Sequence, residues 1–154
     1  MGFVAELKER LRADLNAAMR ARDQVRMRTL RMALTSITNE EVAGASARDL
    51  TDDEIVKVLT REARKRREAA EAFSAAGRGE QAAAERAEGE VLADYLPAQL
   101  SDEELATLVD AAIAETGASG MASMGQVMKM VTPRVAGRAD GARVAAEVRR
   151  CLSG

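Results

Sequence analysis

The sequence contains no histidine and no tryptophan, and its single cysteine, Cys151, has no partner for a disulfide. Without histidine, a serine or cysteine nucleophile would lack its usual general base. No group of residues has the spacing of a metal site, so we expect neither a metal nor any other cofactor. Cys151 is expected to pack among apolar side chains. These absences argue against hydrolytic, redox and metal-dependent enzymes.

Aromatic residues are also scarce, since only Phe3, Phe73 and Tyr95 are present. The core must therefore be built from aliphatic side chains and alanine, which together provide most of the 47% hydrophobic content. No apolar run approaches the roughly 18 residues that a membrane span requires. The beginning of the chain lacks the apolar segment of a signal peptide. We predict a cytoplasmic protein without membrane contact.

The formal net charge of −2 conceals strong segregation of charge along the chain. Residues 8–31 carry eight basic and three acidic side chains, and a second basic cluster spans residues 61–67. Residues 87–128 carry eight acidic side chains and no basic one, whereas residues 129–150 carry six basic and two acidic ones. The sequence therefore predicts two basic surfaces that flank an acidic middle segment.

Apolar residues recur three or four positions apart, which predicts an all-α fold. Two apolar stripes precede a loop at residues 42–50, and the polar stretch at residues 20–24 either bends one helix or separates two. The stripes consist of Phe3, Leu7, Leu11, Leu15 and Met19, and of Met27, Leu30, Leu34 and Ile37. Capping boxes at Thr51/Glu54 and Ser101/Glu104 predict two helix starts.

The helix that starts at Thr51 is expected to reach about Phe73, and an alanine-rich helix should follow the glycines and end at Leu96. Pro97 cannot donate the backbone hydrogen bond that would extend it. We therefore predict a helical N-terminal domain at residues 1–96 and a three-helix domain at residues 97–154. The second helix of that domain should carry Met124, Val127, Met128 and Val131, and the third should start with Asp140 as its N-cap.

Several motifs occur in a fixed order. They are Tyr95-Leu96-Pro97-Ala98-Gln99-Leu100-Ser101, Gly125-Gln126-Val127-Met128 and Gly137-Arg138-Ala139-Asp140-Gly141, with upstream support in Arg28-x-x-Arg31-Met32, Asn39-Glu40-Glu41, Glu62-x-x-x-Arg66 and Phe73-x-x-Ala76-Gly77-Arg78. With these motifs the chain resembles YqeY-type proteins of the GatB/YqeY family over nearly its whole length. The resemblance implies that residues 97–154 are similar to the tail of GatB, the tRNA-contacting subunit of the tRNA-dependent amidotransferase.

The resemblance implies a link to tRNA and to an amidotransferase or aminoacylation complex, but the residues do not supply amidotransferase chemistry. The glycine cluster at residues 117–125 lacks the lysine and the spacing of a phosphate-binding loop. The adjacent carboxylates Asp52 and Asp53 lie at a predicted helix start, where the helix dipole favours negative charge. We expect a non-catalytic RNA-binding accessory protein, related to a carbon–nitrogen ligase that uses glutamine as its amido donor.

The candidate RNA-binding residues lie around the predicted turn of the tail-like domain. They are Lys129, Arg134, Gly137, Arg138, Gly141 and Arg143. The glycines would permit close backbone approach, and the cations would contact phosphates. Two interpretations of Arg138 stay open, RNA contact and a role in the turn alone, whereas Asp140 is expected to be structural. With so few aromatic residues, recognition should depend on the shape and backbone of the RNA.

Two further basic helix faces are predicted in the N-terminal domain. Their arginines are Arg20, Arg28, Arg31, Arg64 and Arg67. Such faces are more often solvated or paired with acidic neighbours, and Arg66 is expected to pair with Glu62 one turn earlier. RNA binding is therefore the less favoured interpretation of these faces.

Two other functional classes remain open. A protein-interaction adaptor would bind a partner through its charged helices and an exposed methionine surface, although the stripe of Met124, Met128 and Val131 is expected to be core. A free-standing amidotransferase or ligase would have to bind ATP and turn over glutamine, and we rank it last.

Overall fold

The computed structural model describes residues 5–153, so the predicted apolar contact of Phe3 lies outside the described residues. The described residues form seven α-helices and one short 3-10 helix, with no strand among them, which confirms the all-α prediction. The helices are α1 (Glu6–Ala21), α2 (Gln24–Glu41), α3 (Asp52–Ala75), α4 (Gly79–Ala93), α5 (Asp102–Thr116), α6 (Met124–Val135) and α7 (Gly141–Ser153), and the 3-10 helix is Met121–Ser123.

The chain divides into two compact units, of which the first extends to Leu96 and the second begins at Pro97. Unit 1 contains α1 to α4. The ammonium group of Lys8, near the start of α1, lies 2.9 Å from a carboxylate oxygen of Glu41, at the end of α2, so these two helices run antiparallel. The core is aliphatic, as predicted, and its fully buried members include Leu11, Leu30, Ile37, Ile55, Leu59 and Leu92.

The polar stretch at residues 20–24 separates two helices. Arg22 adopts a left-handed conformation with φ of 58° and ends α1, and the carboxylate of Asp23 accepts a hydrogen bond of 3.1 Å from the backbone N–H of Arg26 at the start of α2. Met19, the last residue of the first predicted stripe, is 42% exposed and not part of the core, whereas its neighbour Ala18 is buried.

Both predicted capping boxes are confirmed. The backbone N–H of Glu54 donates to the Thr51 hydroxyl at 3.2 Å, and the backbone N–H of Thr51 donates to the Glu54 carboxylate at 3.1 Å. Ser101 and Glu104 make the same reciprocal pair at 3.1 and 3.0 Å. Each box satisfies backbone donors that have no partner inside the helix.

Two predicted helix ends were wrong by two or three residues. α3 continues to Ala75, two residues beyond the predicted end, because the terminating turn is made by Gly77, with φ of 75°. α4 starts at Gly79 and ends at Ala93, not at Leu96. After Ala93 the chain forms a turn in which the N–H of Tyr95 donates to the carbonyl of Leu92 at 3.1 Å. The helix thus ends before Pro97 can interrupt it.

Unit 2 contains α5, α6 and α7, the three helices that were predicted, and an unpredicted 3-10 helix precedes α6. Its core consists of small aliphatic side chains, chiefly Leu105, Val109, Val127, Val131 and Val148. Pro133 lies inside the last turn of α6, which reaches Val135. Met124 and Met128 are partly buried against this core, as expected for that stripe.

Candidate nucleic-acid interface

The turn between α6 and α7 is closed by the segment that begins unit 2. The backbone N–H of Leu100 donates to the carbonyl of Arg138 at 2.7 Å, and the amide of Gln99 donates to the carbonyl of Gly137 at 3.4 Å. Two motifs that lie about 40 residues apart in the sequence are therefore in direct contact. Gly137 has a φ of 79°, a conformation that favours glycine, so its role is to let the backbone make this turn without the strain that a side chain would cause.

The side chain of Arg138, which lies in the turn, folds back onto the end of α6. Its Nε donates to the carbonyl of Val135 at 3.0 Å, and a terminal nitrogen donates to the carbonyl of Arg134 at 2.8 Å. The last carbonyls of a helix have no intrahelical partner, and a cation placed there also interacts favourably with the helix dipole. Arg138 therefore caps α6, which supports the interpretation that its role lies in the turn.

Asp140 is the N-cap of α7, as predicted. One carboxylate oxygen accepts a hydrogen bond of 3.0 Å from the backbone N–H of Arg143, and only 6% of the residue is exposed. The carboxylate occupies the position that a phosphate would take at this helix start. Gly141 is the first residue of α7 and does not have a positive φ, so it contributes no special backbone conformation.

Two of the other predicted cations are held in ion pairs at the surface of unit 2. A terminal nitrogen of Arg134 is paired with the carboxylate of Glu115, whose side chain is 53% exposed. A terminal nitrogen of Arg143 lies 2.8 Å from an oxygen of Asp102, whose side chain is 98% exposed. Pairs as exposed as these are worth roughly 0–1 kcal/mol. These pairs restrain the guanidinium groups, but another anion such as a phosphate can still displace the carboxylate.

Lys129 differs from these arginines because its ammonium group has no ion-pair or hydrogen-bond partner among residues 5–153. It is exposed on the outer side of α6, opposite the buried residues Val127 and Val131. A shallow depression there is lined by Gly125, Gln126, Met128, Lys129 and Thr132. We call this surface the α6 face. It includes three residues of the Gly125-Gln126-Val127-Met128 motif and presents one unneutralised positive charge.

Arg149 was not among the predicted site residues, although it has the same property. It is exposed on α7, and its side chain has no partner within the described part of the chain. Its neighbour Arg150 is engaged with Glu147. Helical spacing could have distinguished the two arginines, because Arg150 lies three positions after Glu147, on the same side of the helix, and Arg149 lies only two positions after it.

Cys151 is partly buried against the core of unit 2, which confirms the expected packing. Burial, with hydrogen bonds to the carboxylates of Asp110 and Glu147, raises the pKa of the thiol to about 11. The nucleophilic form of cysteine is the thiolate, so this side chain is protonated and unreactive near neutral pH. Within residues 5–153 no group of three or more potential ligands is placed to hold a metal ion.

The basic helix faces of unit 1 are neutralised only in part. Arg28 pairs with Glu88 and Arg64 with Glu68, whereas Arg20 and Arg31 are exposed and have no partner among the described residues. The expected pair of Arg66 with Glu62 was wrong. Arg66 lies 3.3 Å from Glu88 and 3.4 Å from Glu85, both on α4, whereas Glu62 accepts from Lys65 at 3.3 Å. Glu62 faces α2 and Arg66 faces α4, so the two side chains diverge although they are one turn apart.

Among residues 5–153, no helix combines the length and the apolar character that crossing a membrane would need. Comparison with protein families gives a match to the model described as Yqey-like protein over residues 8–152. No match was found among curated proteins. Because the family match covers nearly the whole chain, the chain belongs to the YqeY-like family.

Proposed function

We propose that this chain is a cytoplasmic, non-catalytic RNA-binding accessory protein that binds tRNA within the route served by the glutamine-dependent tRNA amidotransferase. The observation that carries the proposal is the exposed ammonium group of Lys129 on the α6 face, which has no ion-pair or hydrogen-bond partner in the described part of the chain. A lysine without an internal partner can contact a phosphate without first losing an ion pair. The expected resemblance of residues 97–154 to the GatB tail supports tRNA as the ligand.

The surrounding residues support contact with an RNA backbone and not with bases. Unit 2 has no aromatic residue on which a base could stack, since Phe3, Phe73 and Tyr95 all precede it. Lys129 and Arg149 offer charge without a fixed hydrogen-bond partner, and Arg134 and Arg143 can exchange exposed carboxylates for phosphates. Binding of this kind depends on RNA shape and on salt concentration.

The test is a fluorescence anisotropy titration of the full chain against a labelled tRNA and a scrambled RNA of equal length, at low and near-physiological salt. The tail variant Lys129→Gln/Arg149→Gln removes the two unpaired cations of unit 2. We expect the wild-type chain to prefer folded tRNA and the tail variant to bind on the order of ten-fold more weakly, with a salt slope reduced by about 2.

The matched control, Arg78→Gln/Arg86→Gln, removes two exposed cations of unit 1 that have no partner in the described structure, so the change in net charge is the same. Equal weakening in both variants would mean that only net charge matters. Equal binding to both RNAs, or no binding, would overturn the proposal for tRNA.

A protein-interaction adaptor remains the alternative, and one observation favours it. Met121, just before α6, is 46% exposed, and an exposed methionine suits an adaptable protein interface. The neighbouring methionines Met124, Met128 and Met130 are instead partly buried against the core of unit 2. A single exposed methionine is a smaller apolar anchor than protein interfaces generally use. RNA binding is therefore the function that we place first.

A further inference from the structure

In unit 1, a row of ion pairs runs along α3, where one pair joins α2 to α4 beside it and another lies within α3 itself. The Nε of Arg28 donates to Glu88 at 2.8 Å, and Lys65 contacts Glu62 at 3.3 Å. The side chains of Arg28 and Lys65 are 58% and 53% exposed, whereas Glu88 and Glu62 are only 8% and 5% exposed as residues. In both pairs the positive group faces solvent and the negative group lies beneath it.

A third pair extends this row toward the end of α2. A terminal nitrogen of Arg61 lies 3.4 Å from Glu40, and both side chains are 43% exposed. Arg61 and Lys65 are one helical turn apart on α3, a rise of about 6 Å. Arg28 is tied to the same region of α3, because the carboxylate that it contacts also accepts from Arg66 at 3.3 Å. We call the three exposed cations Arg28, Arg61 and Lys65 the α2–α3 ridge.

The buried carboxylates fix the positions of these cations. Arg28 uses only its Nε, and its two terminal nitrogens have no partner among the described residues. Glu62 is also held from α2, since it accepts a hydrogen bond of 3.1 Å from the Ser36 hydroxyl. A guanidinium group that is anchored from below presents a planar pair of donors at little further cost in side-chain entropy. That geometry matches the oxygens of a phosphate group.

We propose that the α2–α3 ridge is a second contact surface for the phosphate backbone of RNA, separate from the α6 face. This inference rests on the proposed function, because it names where the same class of ligand would touch unit 1. The ridge accounts for upstream motif residues that the α6 face leaves without a role, since Arg28 belongs to it and Glu40 and Glu62 pair with its other two cations.

The composition of the ridge favours RNA over a protein partner. Protein interfaces centre on large apolar or aromatic side chains. The large apolar residues that are substantially exposed in the described structure are Met19, Val42 and Met121, and none belongs to the three ion pairs. A line of fixed cations without an apolar anchor fits a repeating phosphate chain, to which binding would be independent of sequence.

The experiment compares the full-length ridge variant Arg61→Gln/Lys65→Gln with the wild-type chain, the tail variant and the Arg78→Gln/Arg86→Gln control. Each variant loses two positive charges. Binding to labelled tRNA is measured as a function of salt, and circular dichroism with thermal unfolding checks that each variant is folded. We expect the ridge variant to bind on the order of ten-fold more weakly, with a salt slope lower by about 2, while the control is unchanged.

A second variant tests the geometry without removing charge. Arg28→Lys keeps the positive charge but replaces the planar pair of donors with a point charge. We expect weaker binding at every salt concentration with an unchanged slope. Affinity equal to that of the wild type would show that the free guanidinium nitrogens make no contact and would overturn the argument from geometry.

The outcomes for the two surfaces are separable. Loss in the ridge variant alone supports the ridge and removes the α6 face, whereas loss in the tail variant alone overturns the ridge. Loss in both variants supports both surfaces. If the wild-type chain binds poly-glutamate but no RNA, the proposal of an RNA contact is overturned, and loss of that binding in the ridge variant would mean that the ridge recognises an acidic protein.

Discussion

Tyr95 holds the end of unit 1 against α1 and α2, so removing its hydroxyl should destabilise that unit measurably. The hydroxyl donates to a carboxylate oxygen of Asp14 at 2.5 Å and accepts from Arg26 at 3.3 Å. The guanidinium carbon of Arg10 lies 4.5 Å from the centre of the ring. Tyr95 itself is 5% exposed. The substitution Tyr95→Phe deletes both hydrogen bonds but keeps the ring and its cation contact.

The size of the effect follows from the charge and the exposure of the partner. A hydrogen bond to a charged group contributes about 1.5–3 kcal/mol. The side chain of Asp14 is 34% exposed and lies 3.8 Å from Arg10, so water and that arginine offset part of the loss. We therefore expect Tyr95→Phe to lower the free energy of unfolding by about 1–2 kcal/mol. For a chain of this length, the melting temperature should fall by roughly 2–8 °C.

The assay is urea denaturation of the full chain followed by circular dichroism. Tyrosine fluorescence of the wild-type chain, which has no tryptophan and only this tyrosine, reports separately on unit 1. The matched control is Thr35→Val, which deletes an exposed hydroxyl that has no partner in the described structure. If Tyr95→Phe and the control have the same midpoint and slope as the wild type, the hydroxyl contributes nothing and the reasoning is refuted.

Three further predictions concern titration, capping and thiol reactivity. Burial, with the hydrogen bond to a carboxylate, raises the pKa of Tyr95 to about 12, so near-ultraviolet absorbance should show tyrosinate forming near that pH. The free energy of unfolding should fall as the pH rises from about 10 toward 12, because the tyrosine of the unfolded chain ionises first. A titration midpoint near 10 in the folded chain would contradict this. Arg138→Ala should lower the free energy of unfolding by about 1 kcal/mol through loss of the bonds to the last carbonyls of α6, whereas Arg149→Ala should leave it nearly unchanged; equal effects would exclude the cap. Cys151 should react slowly with a disulfide reagent in the folded chain at pH 9 and rapidly in denaturant, and equally rapid reaction in both would contradict the raised pKa of its thiol.

The parts of the fold that the sequence predicted are those set by local chemistry. The capping boxes at Thr51 and Ser101 need only residues within one helical turn, and both are present as predicted. The apolar spacing of α6 and α7 likewise identifies Val127, Val131 and Val148 as core residues. These features follow from helical periodicity and from the unsatisfied donors of a helix start.

The features that escaped prediction depend on contacts between helices. Glu62 lies at the right helical spacing to pair with Arg66, but it bonds to Ser36 on α2, and Arg66 turns to α4. Tyr95 belongs to one of the motifs of the sequence, but nothing in the spacing of that motif identifies Asp14, 81 positions earlier, as the hydrogen-bond partner of its hydroxyl. Side-chain partners across such distances are decided by which helix faces meet, and no local pattern encodes that.

The two proposed surfaces differ in whether an arginine must break an existing ion pair before it can bind a phosphate. Arg143 must leave Asp102 to contact RNA, and the carboxylate left behind has a side chain that is 98% exposed, so water can solvate it. Arg28 is paired with the buried carboxylate of Glu88. If Arg28 broke this pair, Glu88 would keep only Arg66 as a partner, which is costly for a carboxylate in a poorly hydrated site. The terminal nitrogens of Arg28 have no partner among the described residues and can donate to a phosphate without that exchange. The α2–α3 ridge should therefore bind RNA as a fixed surface, whereas the arginines of the tail bind by exchanging partners.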